Sequence, residues 1–243
     1  HIDHNIATVT FSHPKSNSFP SELLQKLVDT FNRLSIDDHV KVIILQSEGE
    51  KAFCAGASFD ELLAVNDAAS GKTFFSGFAN LINSMRKCSK LIIGRVHGKA
   101  VGGGVGIAAA CDYCFATEAS DIKLSELSIG IGPFVIAPAL ERKMGISAFS
   151  SLSLEAKSWK TAYWAEKNGL FNTVFENTRD LDNGIDILTL QLSQYNPEAL
   201  LEMKKIFWEG TAHWDELLIQ RAEITGKLVL SDFTKEALAK LRS

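Results

Sequence analysis

The chain has 243 residues, of which 25 are basic and 29 acidic, giving a formal net charge of −4 at pH 7. This length can bury a sizeable core in one domain, and the acidic balance argues against nucleic acid or an anionic membrane as the main partner. No apolar stretch reaches the length of a membrane span, and no signal peptide is visible.

The first half of the chain alternates between predicted strands and helices. Polar and apolar residues alternate over residues 6–11, which predicts a strand with one face in water. The β-branched run at residues 40–46 (VKVIILQ) predicts a strand covered on both faces. Further elements are helices at residues 22–34 with Ser21 as N-cap, 59–65, 74–87 and 105–111, and strands at 91–96, 112–116 and 122–124. This alternation predicts an α/β fold.

The second half is predicted to be mostly helical. The predicted helices span residues 139–144, 148–154, 161–167, 181–194, 197–208 and 214–230, and a last one begins at Asp232 as N-cap. Residues 170–175 form the predicted strand of this half. The late helices carry apolar residues that either cover the core or pack against another subunit: Phe207, Trp208, Trp214, Leu217 and Leu218.

A glycine-rich loop follows the predicted strand at residues 91–96. Its glycines are Gly98, Gly102, Gly103 and Gly104. The small apolar residues 105–111 come next, so the loop is predicted to open a buried helix. Glycines at a helix start leave backbone N–H groups unpaired and allow close approach. The loop therefore suits an oxygen anion or a polarised carbonyl.

Glu126 is the candidate acid–base residue downstream of this loop. It stands between Ser125 and Leu127, close to Leu124, and Pro133 follows a few residues later. Burial in apolar surroundings would raise its pKa and suit it to exchanging protons at neutral pH. A donor loop followed by one such acid is sufficient for enolate chemistry. The alternative is that Glu126 is a surface carboxylate or a salt-bridge partner.

Three other interpretations of this region are less favoured. Residues 104–109 match the dinucleotide-binding pattern G-x-G-x-x-A, but these glycines are expected at or inside a helix and not in the turn after a strand. His97 is expected to be structural, because it is a lone histidine after a β-rich run. Ser125 lacks G-x-S-x-G surroundings, which argues against a serine hydrolase.

The cysteines are expected to be reduced and buried. Cys111 and Cys114 have the C-x-x-C spacing of some zinc and redox sites, but no second pair and no suitably spaced histidines complete a metal site. Together with Cys54 and Cys88 they predict a cytoplasmic location without a bound metal. Because the sequence begins at His1 and not at a methionine, an upstream targeting segment stays an open alternative.

Three stretches together resemble the enoyl-CoA hydratase/isomerase (crotonase) superfamily. They are residues 51–57 (KAFCAGA), the loop and helix at 98–112, and residues 125–133. The likeness runs along nearly the whole chain. It implies an α/β fold with a crotonase-like spiral of ββα/βαβ turns, followed by a C-terminal helical trimerisation region. Residues 1–185 would form the acyl-CoA-binding core, and residues 186–243 the helical region of the same domain, in a homotrimer or homohexamer.

The resemblance also implies roles for individual residues. The backbone N–H groups of Ala57 and Gly103 would form an oxyanion hole, and Glu126 would be the catalytic acid–base residue. The adenine of coenzyme A would lie against the backbone around residues 53–55. The residues implied in substrate binding are Phe53, Cys54, Ala55, Gly56, Ala57, Gly102, Gly103, Gly106 and Pro133. The expected partner is an acyl-CoA substrate, with no further cofactor, because coenzyme A is part of that substrate.

The sequence departs from the family pattern at two positions. The first of the two glutamates usual in hydratases falls on Gly106, and a second familiar acid falls on Ser58. Gly106 has no side chain with which to hold a water molecule. Asp60 and Glu61 are the next candidates for activating one. The chain thus keeps the oxyanion hole and one acid but lacks the customary pair.

Three functions remain in competition on this basis. Residues 129–145 resemble a branch related to methylglutaconyl-CoA hydratases, which favours an enoyl-CoA hydratase in fatty-acid or branched-chain amino-acid breakdown. Chemically, Glu126 alone favours an enoyl-CoA isomerase, which needs one base to move a proton between two carbons. A non-catalytic acyl-CoA-binding subunit is the alternative from another class. The expectation is a hydratase by a narrow margin, with acyl chain length, branching and pathway left open.

Overall fold

Nine strands form two sheets in the computed structural model, which describes residues 1–242. In chain order they are β1 (Ile2–Asp3), β2 (Ile6–Phe11), β3 (Val42–Ser47), β4 (Ala52–Cys54), β5 (Leu91–Val96), β6 (Lys99–Val101), β7 (Tyr113–Thr117), β8 (Ile122–Lys123) and β9 (Thr173–Phe175). The large sheet has the order β1-β2-β3-β5-β7-β9 and the small sheet β4-β6-β8. All neighbours are parallel except β1 and β2. From β3 to β8 the chain alternates between the sheets, which confirms the predicted α/β spiral.

Ten α-helices surround the sheets within the same residues. They are α1 (Ser21–Ser35), α2 (Phe59–Ala64), α3 (Ala68–Lys87), α4 (Gly103–Ala110), α5 (Ala137–Leu154), α6 (Ala162–Lys167), α7 (Thr178–Gln194), α8 (Pro197–Phe207), α9 (Trp214–Leu228) and α10 (Asp232–Arg242). A short 3-10 helix spans Glu126–Ile129. The helical C-terminal part is confirmed, and the predicted domain boundary at residue 185 lies within α7. None of the helices in residues 1–242 is long and apolar enough to cross a bilayer.

The strand β3 is covered on both faces, as predicted from its β-branched run. Ile43 and Leu45 belong to the main hydrophobic core, whereas Val42 and Ile44 pack in a second cluster with Leu181 of α7. Alternate residues of a strand point to opposite faces, so both layers take their apolar residues from the same short run. The large sheet is therefore covered by apolar residues on both faces along β3.

Helices α3 and α9 pack so closely that their backbones are in contact at Gly71 and Gly226. A Cβ atom added at Gly71 would lie 2.8 Å from Cα of Gly226, so neither position leaves room for a side chain. Nearby, Trp214 and Leu218 of α9 are buried in the core together with Trp208. Phe207, by contrast, is 40% exposed. Most of the late apolar residues thus cover the core of their own chain, and the assembly state stays a prediction.

A buried ion pair ties α8 to the turn between α4 and β7. The ammonium of Lys204 lies 2.8 Å from Oδ2 of Asp112, and the two side chains are 3% and 2% exposed. Asp112 also accepts hydrogen bonds from the N–H of Ile92 at 2.7 Å and from Nε1 of Trp208 at 2.7 Å. Lys204 donates further bonds to the carbonyl of Met85 and to that of the residue before β5. All charge in this cluster is hydrogen-bonded, as buried charge requires.

Two predicted helix caps were wrong. Ser21 is the first residue of α1, and the N-cap position belongs to Pro20. For α10 the cap is Ser231 and not Asp232, because the Ser231 hydroxyl accepts a hydrogen bond from the N–H of Thr234 at 3.2 Å. In both cases the residue predicted as the cap is the first residue of the helix.

The predicted start of α3 at residue 74 was too late. The helix begins at Ala68, after a capping box in which the carboxylate of Asp67 accepts from the N–H of Ser70 at 2.7 Å. The strands β4 and β6 were not predicted as strands, since three residues show no alternation. The break predicted at Gly145 is present, with φ of +74° inside α5.

Candidate active site

A cavity of about 740 Å³ opens beside the small sheet and the start of α4. This volume is typical of small-molecule sites. Its wall includes the loop after β4, the end of β6, the 3-10 helix, the segment before α5, and residues of α10. Most of the wall near the 3-10 helix is apolar, with Ile129, Ile131, Phe134 and Ile136 contributing side chains.

Gly56 brings two backbone segments together at the cavity wall. Its φ is +91°, and an added Cβ would lie 2.9 Å from the carbonyl oxygen of Val101 and 3.6 Å from the nitrogen of Gly103. Only glycine tolerates both the conformation and the contact. The loop that carries Ala57 therefore lies directly against the start of α4.

The backbone N–H groups of Ala57 and Gly103 are unpaired donors. Neither forms a hydrogen bond with any atom of residues 1–242. The loop is nevertheless fixed, because Phe19 donates to Gly56 O at 2.8 Å and accepts from Ser58 N at 3.0 Å. Gly103 is the first residue of α4, where helix N–H groups have no partner within the helix. Both residues line the cavity, so the two donors are available to a ligand oxygen.

The carboxylate of Glu126 lies against Gly102, next to these donors. Gly102 has φ of +53°, and an added Cβ would lie 2.8 Å from Oε1 of Glu126. Oε2 is buried and has no hydrogen-bond partner among the described residues, although Glu126 as a whole is only half-buried. Burial raises the pKa of Glu126 to about 7. An unpaired buried carboxylate with this pKa can both accept and release a proton near neutral pH.

We expect Glu126 to lower stability as the pH rises. Its folded-state pKa of about 7 lies above the ordinary value of 4.5, so folding favours the protonated form. This stabilisation is present in full below pH 4.5 and is lost as the pH rises towards 7. From pH 5 to pH 8, the free energy of unfolding of the wild type should fall by about 2 kcal/mol relative to that of Glu126→Gln. Urea denaturation at both pH values measures this, and a gap independent of pH would contradict it.

Gly106 does not face the cavity. An added Cβ would lie 2.3 Å from Cγ2 and 2.5 Å from Cβ of Ile136, a residue that is 4% exposed. The space where a side chain at position 106 would begin is therefore filled by a branched apolar residue. Gly106 packs against Ile136, which lines the cavity, and its implied role in substrate binding stays a prediction.

The structure brings most of the other predicted site residues together. The predicted residues that line the cavity are Ala55, Gly56, Ala57, Gly102, Gly103, Glu126 and Pro133. Phe53 and Cys54 do not line it, because both are fully buried. The ring of Phe53 packs edge-on against Phe11, with centroids 5.5 Å apart. Adenine binding along residues 53–55 stays a prediction that concerns the backbone.

Asp60 and Glu61, the alternative candidates for activating water, both bind other residues of the chain. Asp60 pairs with Lys15, and the carboxylate of Glu61 accepts from the N–H of Ser21 at 3.0 Å. Ser58 caps α2 by accepting from the N–H of Glu61. Neither acid is part of the cavity wall. The second carboxylate of that wall, Glu236 of α10, is exposed to solvent.

The positions of the remaining candidates, which are the glycines of the dinucleotide pattern, His97 and the cysteines, lie outside the cavity wall. Gly104 and Gly106 lie inside α4, where an added Cβ at Gly104 would meet Cβ of Cys54 at 2.7 Å, so these glycines serve packing and not a dinucleotide turn. His97 is buried outside the cavity wall, and neither ring nitrogen has a partner in residues 1–242. All four cysteines are buried and free. Within the described chain no three acidic, histidine or cysteine side chains gather around a possible metal position.

Sequence reasoning missed two contributors to the site. Ile136 contacts Gly106 although it lies 30 residues further along the chain, and neither local sequence pattern predicts the contact. Lys123 lines the cavity from β8, a strand of two residues. The strand itself was predicted, and its register would have placed Lys123 on the same face as Val101 of β6.

Known proteins resemble the chain over its whole length. A family model described as Enoyl-CoA hydratase/isomerase matches residues 1–238. The probable enoyl-CoA hydratase of Bacillus subtilis (strain 168) is 25% identical over 241 residues, covering 98% of this chain and 92% of the relative. The short-chain-enoyl-CoA hydratase of Clostridium acetobutylicum is 27% identical over 235 residues, covering 96% and 89%. The crystal structure of enoyl-CoA hydratase from Bacillus halodurans has the same fold, with a TM-score of 0.90 at 22% identity, covering 99% and 98%.

Proposed function

The chain belongs to the enoyl-CoA hydratase/isomerase family, and we propose that it moves a proton at the carbon next to the carbonyl of an enoyl-CoA thioester. The observation that carries this proposal is the buried, unpartnered carboxylate of Glu126 beside two free backbone donors. Removing a proton from that carbon makes an enolate, whose negative charge gathers on the thioester oxygen. The site offers a base for the proton and donors for the oxygen.

The two donors are assigned to the thioester oxygen. The N–H groups of Ala57 and Gly103 are held by the loop contacts around Gly56, so they need no rearrangement when charge develops. One such fixed donor is typically worth about 3–4 kcal/mol of transition-state stabilisation. The first turn of α4 adds the positive end of a helix dipole at the same point.

The reaction that this geometry supports best is migration of a double bond. Glu126 takes a proton from C2 of a 3-enoyl thioester, and the C–H electrons extend the conjugation into a dienolate. The same carboxyl then returns the proton to C4, which leaves the conjugated 2-enoyl thioester. One acid–base group is enough, and the step consumes no water or cofactor.

Hydration is the second candidate, and the names of the relatives favour it. Two relatives 25% and 27% identical are named enoyl-CoA hydratases. Hydration adds the oxygen of water to C3 and a proton to C2. Within residues 1–242 the cavity wall holds two carboxylates, and Glu236 of α10 is exposed to solvent, which leaves Glu126 as the buried one. Glu126 would therefore have to activate the water as well as deliver the proton.

Two assays with purified protein test the proposal. Crotonyl-CoA reports hydration as a loss of the conjugated thioester absorbance, and a 3-hexenoyl thioester of coenzyme A reports isomerisation as its appearance. We expect the second signal to exceed the first. A dominant loss with crotonyl-CoA would make the chain a hydratase. The absence of both, with acyl-CoA still bound, would support the non-catalytic alternative.

A further inference from the structure

Two lysine ammonium groups converge on one exposed tryptophan near the cavity. Nζ of Lys99 lies 4.9 Å and Nζ of Lys123 lies 5.5 Å from the ring centroid of Trp159, which is 42% exposed. The register of the small sheet explains the convergence. Val101 pairs with Lys123, and Lys99 shares the face of Val101 because it lies two residues earlier in β6. Trp159 is held alongside by the backbone pairing of the next residue with Ile122.

The cavity wall takes two lysines from this neighbourhood. Lys123 and Lys157 line it, as do Ser125 and Glu126. Lys123 is half-buried, whereas Lys157 is exposed. The basic cluster of Lys99, Lys123 and Lys157 thus reaches from the surface beside Trp159 into the cavity.

No carboxylate of residues 1–242 lies within ion-pair distance of the three lysines of this basic cluster. Glu126 does not serve as the partner of Lys123 either. The pKa of Glu126 is raised by burial, and no lysine opposes that shift. Trp159 supplies cation–π attraction to two of the ammonium groups but no charge. In a chain of net charge −4, the basic cluster is a local excess of positive charge at a cavity.

We propose that the basic cluster, with Lys123 as its innermost member, binds an anionic oxygen group of the substrate, a carboxylate or a phosphate. This inference rests on the proposed function, because an acyl-CoA thioester can supply the anion from either end. A carboxylate would stand at the far end of the acyl chain, and phosphates belong to coenzyme A. Trp159 keeps Lys99 and Lys123 together despite their mutual repulsion.

Binding of unreactive, saturated thioesters tests the proposal without depending on turnover. Isothermal titration calorimetry would compare valeryl-CoA, glutaryl-CoA and S-valeryl-pantetheine on the wild type and on Lys123→Met. Glutaryl-CoA differs from valeryl-CoA by its terminal carboxylate, and the pantetheine thioester lacks the adenosine phosphates. Lys123→Met keeps the length of the side chain, and Lys123→Arg should restore the affinity that Lys123→Met loses. Lys26→Met on α1 makes the same charge change outside the cavity wall and is the matched control.

The two sources of the anion give different patterns. A terminal carboxylate predicts that Lys123→Met weakens glutaryl-CoA about tenfold or more and leaves valeryl-CoA within twofold. A phosphate predicts the same loss for both coenzyme A thioesters and none for S-valeryl-pantetheine. In either case added salt should weaken the affected ligand more in the wild type than in Lys123→Met.

Several results would overturn the inference. Unchanged affinities of Lys123→Met for all three ligands would do so, as would a wild type that binds none of them. An equal loss in Lys26→Met would reduce the effect to overall charge. If the two turnover assays fail while binding still depends on Lys123, the proposed reaction is rejected and the anion site stands.

Discussion

Replacing Glu126 by glutamine is expected to lower kcat by about 10²–10⁴-fold, the range in which general acid–base groups act. The amide keeps the shape of the side chain but cannot take up the proton from C2. Affinity for a saturated thioester such as valeryl-CoA should stay within several-fold, because Glu126 lies against Gly102 and is not one of the two N–H donors proposed for the thioester oxygen. Steady-state kinetics with the better of the two assay substrates gives the number.

Glu141→Gln is the matched control for this variant. This substitution makes the same chemical change on α5, at a residue that is exposed and outside the cavity wall. Its kcat should equal that of the wild type. Turnover of Glu126→Gln within tenfold of the wild type would remove Glu126 from the acid–base role and with it the proposed reaction.

Replacing Lys204 by methionine is expected to cost about 3–5 kcal/mol of the free energy of unfolding. Methionine fills a similar volume, but Asp112 would keep a buried negative charge facing it. The carbonyl of Met85 would also lose the ammonium donor at 2.9 Å. Urea denaturation monitored by circular dichroism measures the loss as a shift of the midpoint at constant slope.

The neighbouring residue on α8 provides the control. Lys205 pairs with Glu202 at the surface, where its side chain is 60% exposed, and Lys205→Met should change stability by less than about 1 kcal/mol. Adding Asp112→Asn to Lys204→Met should recover part of the loss, because it removes the stranded charge. A Lys204→Met variant as stable as Lys205→Met would show that the buried pair contributes nothing net.

The sequence predicts secondary-structure elements well where the hydrophobic pattern and the terminating glycine or proline residues agree. The strand at residues 91–96 was predicted with its observed bounds, since a β-branched run ends directly at a glycine loop. The start of α3 was missed because its first turn has no large apolar residue and contains Gly71, a poor helix former. That glycine is required by the close approach of Gly226, a partner about 150 residues away. Distant packing had overridden local propensity.

The candidate site likewise has features that the sequence predicts and features that depend on distant contacts. The positions of Glu126 and the glycine loop were predicted from residue type and order, and both line the cavity. That the carboxylate has no hydrogen-bond partner, and that Gly102 gives it room, depends on three-dimensional distances. The fate of Gly106 was predicted incompletely for the same reason. Its missing side chain is visible in the sequence, but the residue that fills the space is not.

The contact between Gly106 and Ile136 has a consequence for how such a site can evolve. A carboxylate introduced at position 106 alone would start 2.3 Å from a methyl group of Ile136, and overpacking of this kind costs about 1–3 kcal/mol. A smaller residue at position 136, by contrast, leaves a folded protein with a cavity that later substitutions can fill. A lineage that builds a second acid here therefore has to change both positions, because either substitution alone leaves the two residues mismatched in volume. The two positions are coupled by volume, and this coupling acts before selection for a new reaction has any activity on which to act.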